Sequence, residues 1–324
     1  MGIRPSSTMS SRDLDKPIFI AGHNGMVGAA IKRQLESSGY TQILYRSRAE
    51  LDLLDNAAVR AFFTESKPAW VFLAAAKVGG IWANNTYPAD FIYQNLSIQN
   101  NVIDAAYQHG ADKLLFLGSS CIYPRDASQP MTEDALLSGP LEPTNEWYAI
   151  AKIAGIKLCQ AYRQQYGFNA ICLMPTNLYG PGDNFDLQNS HVLPALIRKF
   201  SEASSASENN VTVWGSGSPR REFLHVDDLA SACLFAMENY DEQSILNVGV
   251  GKDISISELV DVVAQEVGYS GVVDYDRTKP DGTPRKLLDV SKLKGLGWSP
   301  SISLRKGIAD TVLWYQENKD KVRS

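Results

Sequence analysis

Ser119, Ser120 and Cys121 stand ahead of a Tyr148-xxx-Lys152 pair, and upstream of both lies a glycine-spaced loop, Gly22-His-Asn-Gly25-Met-Val-Gly28. A tyrosine and a lysine four residues apart share one helix face. An ammonium beside a phenol lowers its pKa from ~10 toward neutrality, which makes Tyr148 a proton donor or acceptor at a substrate oxygen. Tyr-xxx-Lys recurs by chance; it gains force here from Ser119, which follows an apolar strand and so falls at the carboxyl edge where parallel sheets bind ligands. The chemistry this predicts is nicotinamide-dependent hydride transfer at a carbonyl. Reducing a ketone needs no thiol, whereas moving protons on the adjacent carbons needs a base, so Cys121 predicts a second reaction in the same pocket. An isolated cysteine reads as a small buried hydrophobe, and it is the place of Cys121 two residues after Ser119 that favours function. His191, at the start of a predicted helix, reads on its own pattern as a surface or capping histidine. His23, His109 and His225 read as structural, and no histidine or acid cluster has metal-ligand spacing.

Gly22 to Gly28 follows the apolar run Ile18-Phe-Ile-Ala21 and opens into a helical pattern. Strand, loop and helix in that order aim backbone N–H groups and the positive helix end at a diphosphate, where a lone glycine triplet would be an ordinary tight turn. Loops that select NAD carry an acid about 20 residues on. This chain carries Arg46-Ser47-Arg48 there, and arginine pairs with a 2′-phosphate, which favours NADP(H) over the competing reading of two solvated arginines. Further on come Arg198, Lys199, Trp214, Arg220, Arg221, Lys279, Arg285 and Lys286, with glycine- and proline-rich turns at Trp214 to Pro219 and Lys279 to Pro284. Singly these are solvated charges and a core tryptophan; together they could clamp a nucleotide diphosphate.

The elements that must position these groups are legible in outline. Apolar runs at Ile18 to Ala21, Gln42 to Tyr45, Trp70 to Ala75, Lys113 to Leu117 and Ala170 to Met174 suit strands buried on both faces. Helical spacing at Met26 to Ser38, Asn56 to Ser66, Phe91 to His109 and Tyr148 to Tyr166 alternates with them. Repeated βα units predict an α/β fold, a Rossmann-type doubly wound parallel sheet with a smaller C-terminal α/β substrate lobe. The 324 residues divide into a disordered leader over 1–15, a nucleotide domain over 16–180 with later returns near 222–250, and a substrate lobe over 181–324. In that lobe Val192 to Phe200 reads as a helix and Ser201 to Asn210 as a polar loop. Ser255-Ile-Ser-Glu258 reads as a capping box opening a helix through Glu266, and Asp227 or Asp228 as the cap of another. The balance of 31 basic against 36 acidic residues, with no like-charge block, points to neither nucleic acid nor membrane surface as partner. Cys121, Cys159, Cys172 and Cys233 have no CxxC spacing, which favours a reduced, cytoplasmic setting.

From about Lys16 onward the chain resembles the extended short-chain dehydrogenase/reductases, and among them the GDP-L-fucose synthases. The stretches that carry this are Ala74 to Ile81, Asn84 to Asp90, Leu117 to Pro124, Glu142 to Glu146, Met174 to Pro181 and Lys279 to Lys286. The resemblance implies NADPH-dependent conversion of GDP-4-keto-6-deoxy-D-mannose to GDP-L-fucose, by epimerisation at C3 and C5 followed by hydride reduction at C4. It implies Ser119, Tyr148 and Lys152 as the catalytic set, Cys121 as the epimerisation base and His191 as the acid. The NADP(H) site it implies comprises Gly22, His23, Asn24, Gly25, Met26, Val27, Gly28, Arg48, Asp52, Leu53, Leu117, Gly118, Ser119, Ser120, Tyr148, Lys152, Pro175, Thr176, Asn177, Leu178 and His191. Lys199, Trp214, Arg221 and Lys286 would hold the GDP-sugar. The helices at Phe91 to His109 and Tyr148 to Tyr166 would pair two subunits into a homodimer. Two departures stand out: Asn24 where relatives often place arginine, and Lys199 where arginine is common, which forgoes bidentate phosphate pairing. The alternatives on the same scaffold are a 4-epimerase or 4,6-dehydratase with tightly held NAD, or a non-catalytic NADPH-binding scaffold. Ser120-Cys121 in place of an Asp-Glu pair speaks against the dehydratase, and retention of both Tyr148 and Lys152 against the scaffold.

Overall fold

The computed structural model describes residues 14–187, 190–279 and 281–320. Most of the predicted leader, and Pro280 in the Lys279 to Pro284 turn named above, lie outside the described residues. Among the described residues thirteen strands occur in chain order: β1 (Ile18–Ala21), β2 (Ile43–Leu44), β3 (Trp70–Leu73), β4 (Lys113–Leu117), β5 (Ala170–Pro175), β6 (Asn177–Tyr179), β7 (Asn210–Trp214), β8 (Arg220–Arg221), β9 (Phe223–His225), β10 (Leu246–Val248), β11 (Ile254–Ser255), β12 (Val272–Asp276) and β13 (Arg285–Lys286). The α-helices are α1 (Met26–Ser37), α2 (Asn56–Ser66), α3 (Ile81–Thr86), α4 (Pro88–Gln108), α5 (Glu146–Tyr166), α6 (Val192–Ser205), α7 (Val226–Asn239), α8 (Ile256–Val267), α9 (Ser291–Leu296) and α10 (Leu304–Asn318).

A six-stranded sheet in the order β10-β5-β4-β3-β1-β2, parallel throughout, forms the first lobe. Every residue of β1, β3, β4 and β5 is buried, which is why these strands read as continuous apolar runs rather than alternating ones. One core layer sets Phe19, Phe63, Val102, Phe116 and Ile156 under α2, α4 and α5; the other sets Ile20, Ile31, Phe72, Leu229 and Leu246 under α1 and α7. The strand order reverses between β1 and β3, and that switch point is where such sheets bind ligands.

The second lobe packs α6, α8 and α10 around Phe185, Phe200, Leu259 and Tyr315, flanked by the pairs β12-β7 and β6-β9 and the small sheet β11-β8-β13. The chain crosses between the lobes repeatedly. Segment 222–250 supplies α7 and β10 to the first lobe, and after β13 the chain returns again, placing Leu288, Val290, Leu293 and Trp298 in the first-lobe core.

Two local readings differ from the structure. Helix α6 continues through Ser205, into the stretch that reads as a polar loop, because Phe200, Ser201 and Ala203 are buried on its inner face. Neither Asp227 nor Asp228 caps α7: the Nδ1 of His225 accepts from Asp227 N at 3.2 Å, while Asp228 turns outward from the helix start to accept from Ser301 N and Ile302 N. The capping box at Ser255 and Glu258 is present in full.

Candidate active site

The glycine loop sits at the switch point. Gly22 has φ +93, a left-handed conformation, and a Cβ there would fall on the backbone of Ala75 beyond β3. A Cβ on Gly28 would land on the carbonyl oxygen of Gly22, so the loop closes on itself only with glycine at both places. The loop is held by Gly25 N donating to Gly22 O at 3.0 Å, and no side chain caps the start of α1. The first-turn amides of Met26, Val27 and Gly28 therefore face the cleft without a capping acceptor from the chain, a cradle that fits a diphosphate. The ring of His23 lies 4.7 Å from that of Tyr45, and its Nδ1 is buried without a partner. Arg48 is exposed on the turn after β2, and Asp52 accepts from Leu54 N at 3.0 Å while Asn101 holds the Leu53 carbonyl at 2.9 Å. On the other side of the cleft Thr176 N bonds Val248 O at 3.0 Å, and Asn177 Nδ2 bonds Glu222 O at 2.8 Å, fixing the Pro175 to Leu178 edge. These residues fit a dinucleotide, with Arg48 open toward the ribose position.

Ser119 and Cys121 follow β4 directly, Gly118 N still donating to Leu173 O at 2.9 Å and Ser119 Oγ accepting from Cys121 N at 3.4 Å. Ser120 and Cys121 are buried in a short 3-10 turn. Tyr148 and Lys152 occupy the first two turns of α5, which approaches β4 closely at Gly155, where a Cβ would strike Phe116 and Gln99. Lys152 Nζ donates to Leu117 O at 2.8 Å and lies 5.7 Å from the Tyr148 ring centroid; the edge of Phe91 packs on that ring at 6.4 Å.

The electrostatics correct the expectation for this pair. Burial pushes the Tyr148 phenol up and the nearby Cys121 raises it further, while burial brings Lys152 down to about 8. The lysine spends its charge on a backbone carbonyl instead of the phenol, so Tyr148 is a neutral acid in this environment. Cys121 is likewise pushed up by burial, and Lys286, a hydrogen bond with Ser119, and Lys152 oppose that shift in descending order.

His191 stands at the N-cap of α6, and its side chain makes no capping bond. The residue as a whole is exposed, yet desolvation by its surroundings and then the charge of Lys286 lower its pKa. Lys286 thus acts on both Cys121 and His191, not on a phosphate position alone as the charge pattern predicts. Arg221, its neighbour in the β13-β8 register, and Glu142 also lie within its electrostatic reach. Lys199 Nζ donates to Thr212 O at 2.8 Å and lies 5.9 Å from the ring of Trp214; Lys279 lies 5.5 Å from it. Trp214 is 66% exposed, which excludes core packing and leaves a ring presented to solvent between two cations.

Sequence reasoning missed three acids. Asp281 binds Ser216 through both carboxylate oxygens, at 2.8 and 2.6 Å, and closes a cleft of about 120 Å³ lined by Ser218, Pro219, Gly282 and Pro284. Asp183, in the turn leading toward His191, has a buried Oδ2 with no partner, and burial raises its pKa to about 7. Glu222 is fully buried; an acid inside Arg220-Arg-Glu-Phe-Leu-His225 was its only signal. Among the described residues no group of His, Cys, Asp and Glu could hold a metal ion, and no helix is long and apolar enough to cross a membrane.

A parallel dinucleotide sheet bearing a serine, tyrosine and lysine at its carboxyl edge defines a nicotinamide-dependent enzyme, and the chain belongs to the NAD dependent epimerase/dehydratase family, whose model matches residues 18–249. Within it, the chain is 59% identical over 313 residues to GDP-L-fucose synthase 1 of Arabidopsis thaliana, covering 97% of each chain. It is 58% identical over 315 residues to the GDP-L-fucose synthase of Escherichia coli (strain K12), covering 94% of this chain and 98% of that one. Among solved structures it matches a GDP-mannoheptose C4 reductase from Campylobacter jejuni with NADP bound, at a TM-score of 0.86 and 38% identity, covering 94% of this chain and 99% of the other.

Proposed function

We infer that this chain converts GDP-4-keto-6-deoxy-D-mannose to GDP-L-fucose with NADPH, inverting C3 and C5 and then reducing C4. The observation that carries the reading is the Cys121 thiol, set at the same sheet edge as Ser119, Tyr148 and Lys152 and under the charge of Lys286. A C4 reductase alone has no use for it. The C4 ketone acidifies the protons on C3 and C5 alike, so one oxyanion site serves both inversions. Cys121, once ionised, removes each proton; Ser119 and Tyr148 hydrogen-bond the enolate oxygen; His191 returns a proton on the opposite face. Met26, Val27 and Gly28 would hold the diphosphate of NADPH and Arg48 its 2′-phosphate, and when bound the cofactor supplies the hydride at C4. Tyr148, kept neutral by burial, donates its proton to the C4 oxygen, while Lys152 stays fixed on the Leu117 carbonyl. Arg221, Lys199 and Trp214 hold the GDP end.

The reading includes a homodimer through α4 and α5, which expose Tyr93 and Trp147 near their N-terminal ends; light scattering giving the monomer mass would remove it. Four buried, unpaired cysteines fit a reducing compartment. The deciding experiment incubates the protein with GDP-4-keto-6-deoxymannose and NADPH, follows absorbance loss and identifies the sugar. GDP-L-fucose is the expected product. A C4-reduced, unepimerised sugar would strip Cys121 and His191 of their roles, and no oxidation would point to the retained-NAD epimerase.

A further inference from the structure

Glu222 is fully buried, and among the described residues no lysine, arginine or histidine pairs with it. Its carboxylate takes three backbone amides: Val250 N at 2.7 Å and Gly251 N at 2.6 Å on one oxygen, Leu288 N at 3.0 Å on the other. Burial pushes its pKa up, and those amides, with the Thr176 hydroxyl, oppose the shift. An acid placed in the interior without a basic partner calls for a reason.

The topology supplies one. Arg285 and Lys286 pair with Arg220 and Arg221, and there the ladder stops, because at Phe223 the chain leaves to pair with β6. Glu222 is the residue at that switch. Its own carbonyl serves Asn177 and Thr176 on the β6 side, at 2.8 and 3.3 Å, while its carboxylate reaches back to the strand just left and takes Leu288 N. The other two amides follow β10, so a single side chain ties the 285–288 segment to the turn at the sheet edge of the first lobe. Gly249 leaves room for it; a Cβ there would collide with Oε1. Two residues before Leu288 stands Lys286, the strongest charge acting on Cys121.

We propose that Glu222 is a positioning residue that, by clamping the 285–288 segment to the first lobe, holds the Lys286 ammonium beside the Cys121 thiol and His191. The proposal rests on the reading of Cys121 as the epimerisation base, and it adds the residue that keeps that base supplied with its cation. In Glu222→Gln the amide oxygen keeps the Val250 and Gly251 bonds, and the NH2 then faces Leu288 N–H donor to donor, which pushes Leu288 off its anchor while the Gln129 and Met131 bonds on either side remain. Direct electrostatics and positioning predict opposite signs. Removing a buried negative charge by itself makes a nearby thiol easier to ionise; displacing Lys286 makes it harder.

The test titrates Cys121 in the intact protein by the pH dependence of its alkylation with iodoacetamide, read by mass spectrometry at that residue, alongside the pH profile of solvent-hydrogen exchange at C3 and C5. In Glu222→Gln the alkylation midpoint and the basic-group limb of exchange both move up by on the order of one pH unit. Lys286→Gln moves them up by at least as much, and adding Glu222→Gln to it moves them no higher, since the displaced cation is already gone. A midpoint that stays at the wild-type value, or moves down, overturns the proposal. If Glu222→Gln does not fold, Glu222→Asp, which retracts the carboxylate by one methylene, must show the same upward displacement or the proposal fails. Because alkylation reads the thiol directly, it stands even where wild-type exchange is absent, an outcome that would sink the epimerase reading instead.

Discussion

The two strands that bring reactive groups into the cleft are held in opposite ways. β4, which leads into Ser119 and Cys121, is buried at every residue and flanked on both sides by parallel partners, β3 and β5. β13, which carries Lys286, is two residues long; it pairs with β8 alone and is steadied by Glu222 at Leu288, by Gln129 Oε1 at Leu287 N and by the bonds between Met131 and its neighbours. A strand with ladder bonds on both edges has its position determined many times over, so substitutions at its end act on chemistry. A two-residue strand crossing between lobes is fixed by a few named bonds, so substitutions there act on geometry and charge placement. Ser119 and Cys121 sit on the first kind of support and Lys286, the cation that tunes the thiol, on the second.

The largest effect expected of the rigid side is at Tyr148. Tyr148→Phe leaves the ring and its contact with Phe91 in place and removes only the hydroxyl. NADPH oxidation with the keto-sugar should fall by about 10²–10⁴-fold, the usual contribution of a positioned acid. Because the phenol is held neutral by burial and not by titration near pH 7, the residual rate should be flat in pH where the wild type is flat. A loss below tenfold would mean that the proton at C4 comes from elsewhere.

Next in size is a stability effect at Lys152, which is 4% exposed. Its folded-state pKa of about 8 lies below the unfolded value of about 10.4. Below about pH 8 both states hold the proton and the cost of burying the ammonium is fully present. Between about 8 and 10.4 the folded chain has released the proton and the unfolded chain has not, so the unfolded state binds more protons and stability rises with pH. Urea midpoints for wild type and Lys152→Met should therefore diverge from pH 7.5 to 10, in favour of the wild type, by on the order of 3 kcal/mol. Parallel pH dependences would show that Lys152 stays charged throughout.

How much of this was legible follows the same division. β1 and β4 fall on the residues that the apolar runs mark, and α2 on its helical pattern, because elements buried on both faces announce themselves by composition. Tyr148 and Lys152 reach the end of the strand that leads into Ser119 through local βα geometry, which short-range patterns encode. The Lys286–Cys121 neighbourhood could not be read that way: it depends on β13 pairing with β8 across more than sixty residues of sequence, and two-residue strands carry no periodicity. The tyrosine and lysine were placed correctly on one face, yet spacing says nothing of what else the ammonium meets, and the Leu117 carbonyl claimed it. Trp214 reads as core by residue type and is exposed because β7 alternates, turning Val211 and Val213 inward and Asn210, Thr212 and Trp214 out.

That alternation makes Trp214 the mildest probe of the cross-lobe side. Its ring lies between Lys199 and Lys279 and contributes to no core cluster, so Trp214→Ala should unfold at the wild-type midpoint. What it removes is a flat apolar surface for the base or ribose of the GDP end, a stacking contribution of about 0.5–1.5 kcal/mol. The KM for the GDP-sugar should then rise by about two- to twelvefold with kcat unchanged, because binding lost equally from ground state and transition state leaves the chemical step alone. A fall in kcat without a rise in KM would mean that Trp214 reports on the closing of the lobes around C4, and the separation between a rigid reducing edge and a loosely held binding lobe would have to be given up.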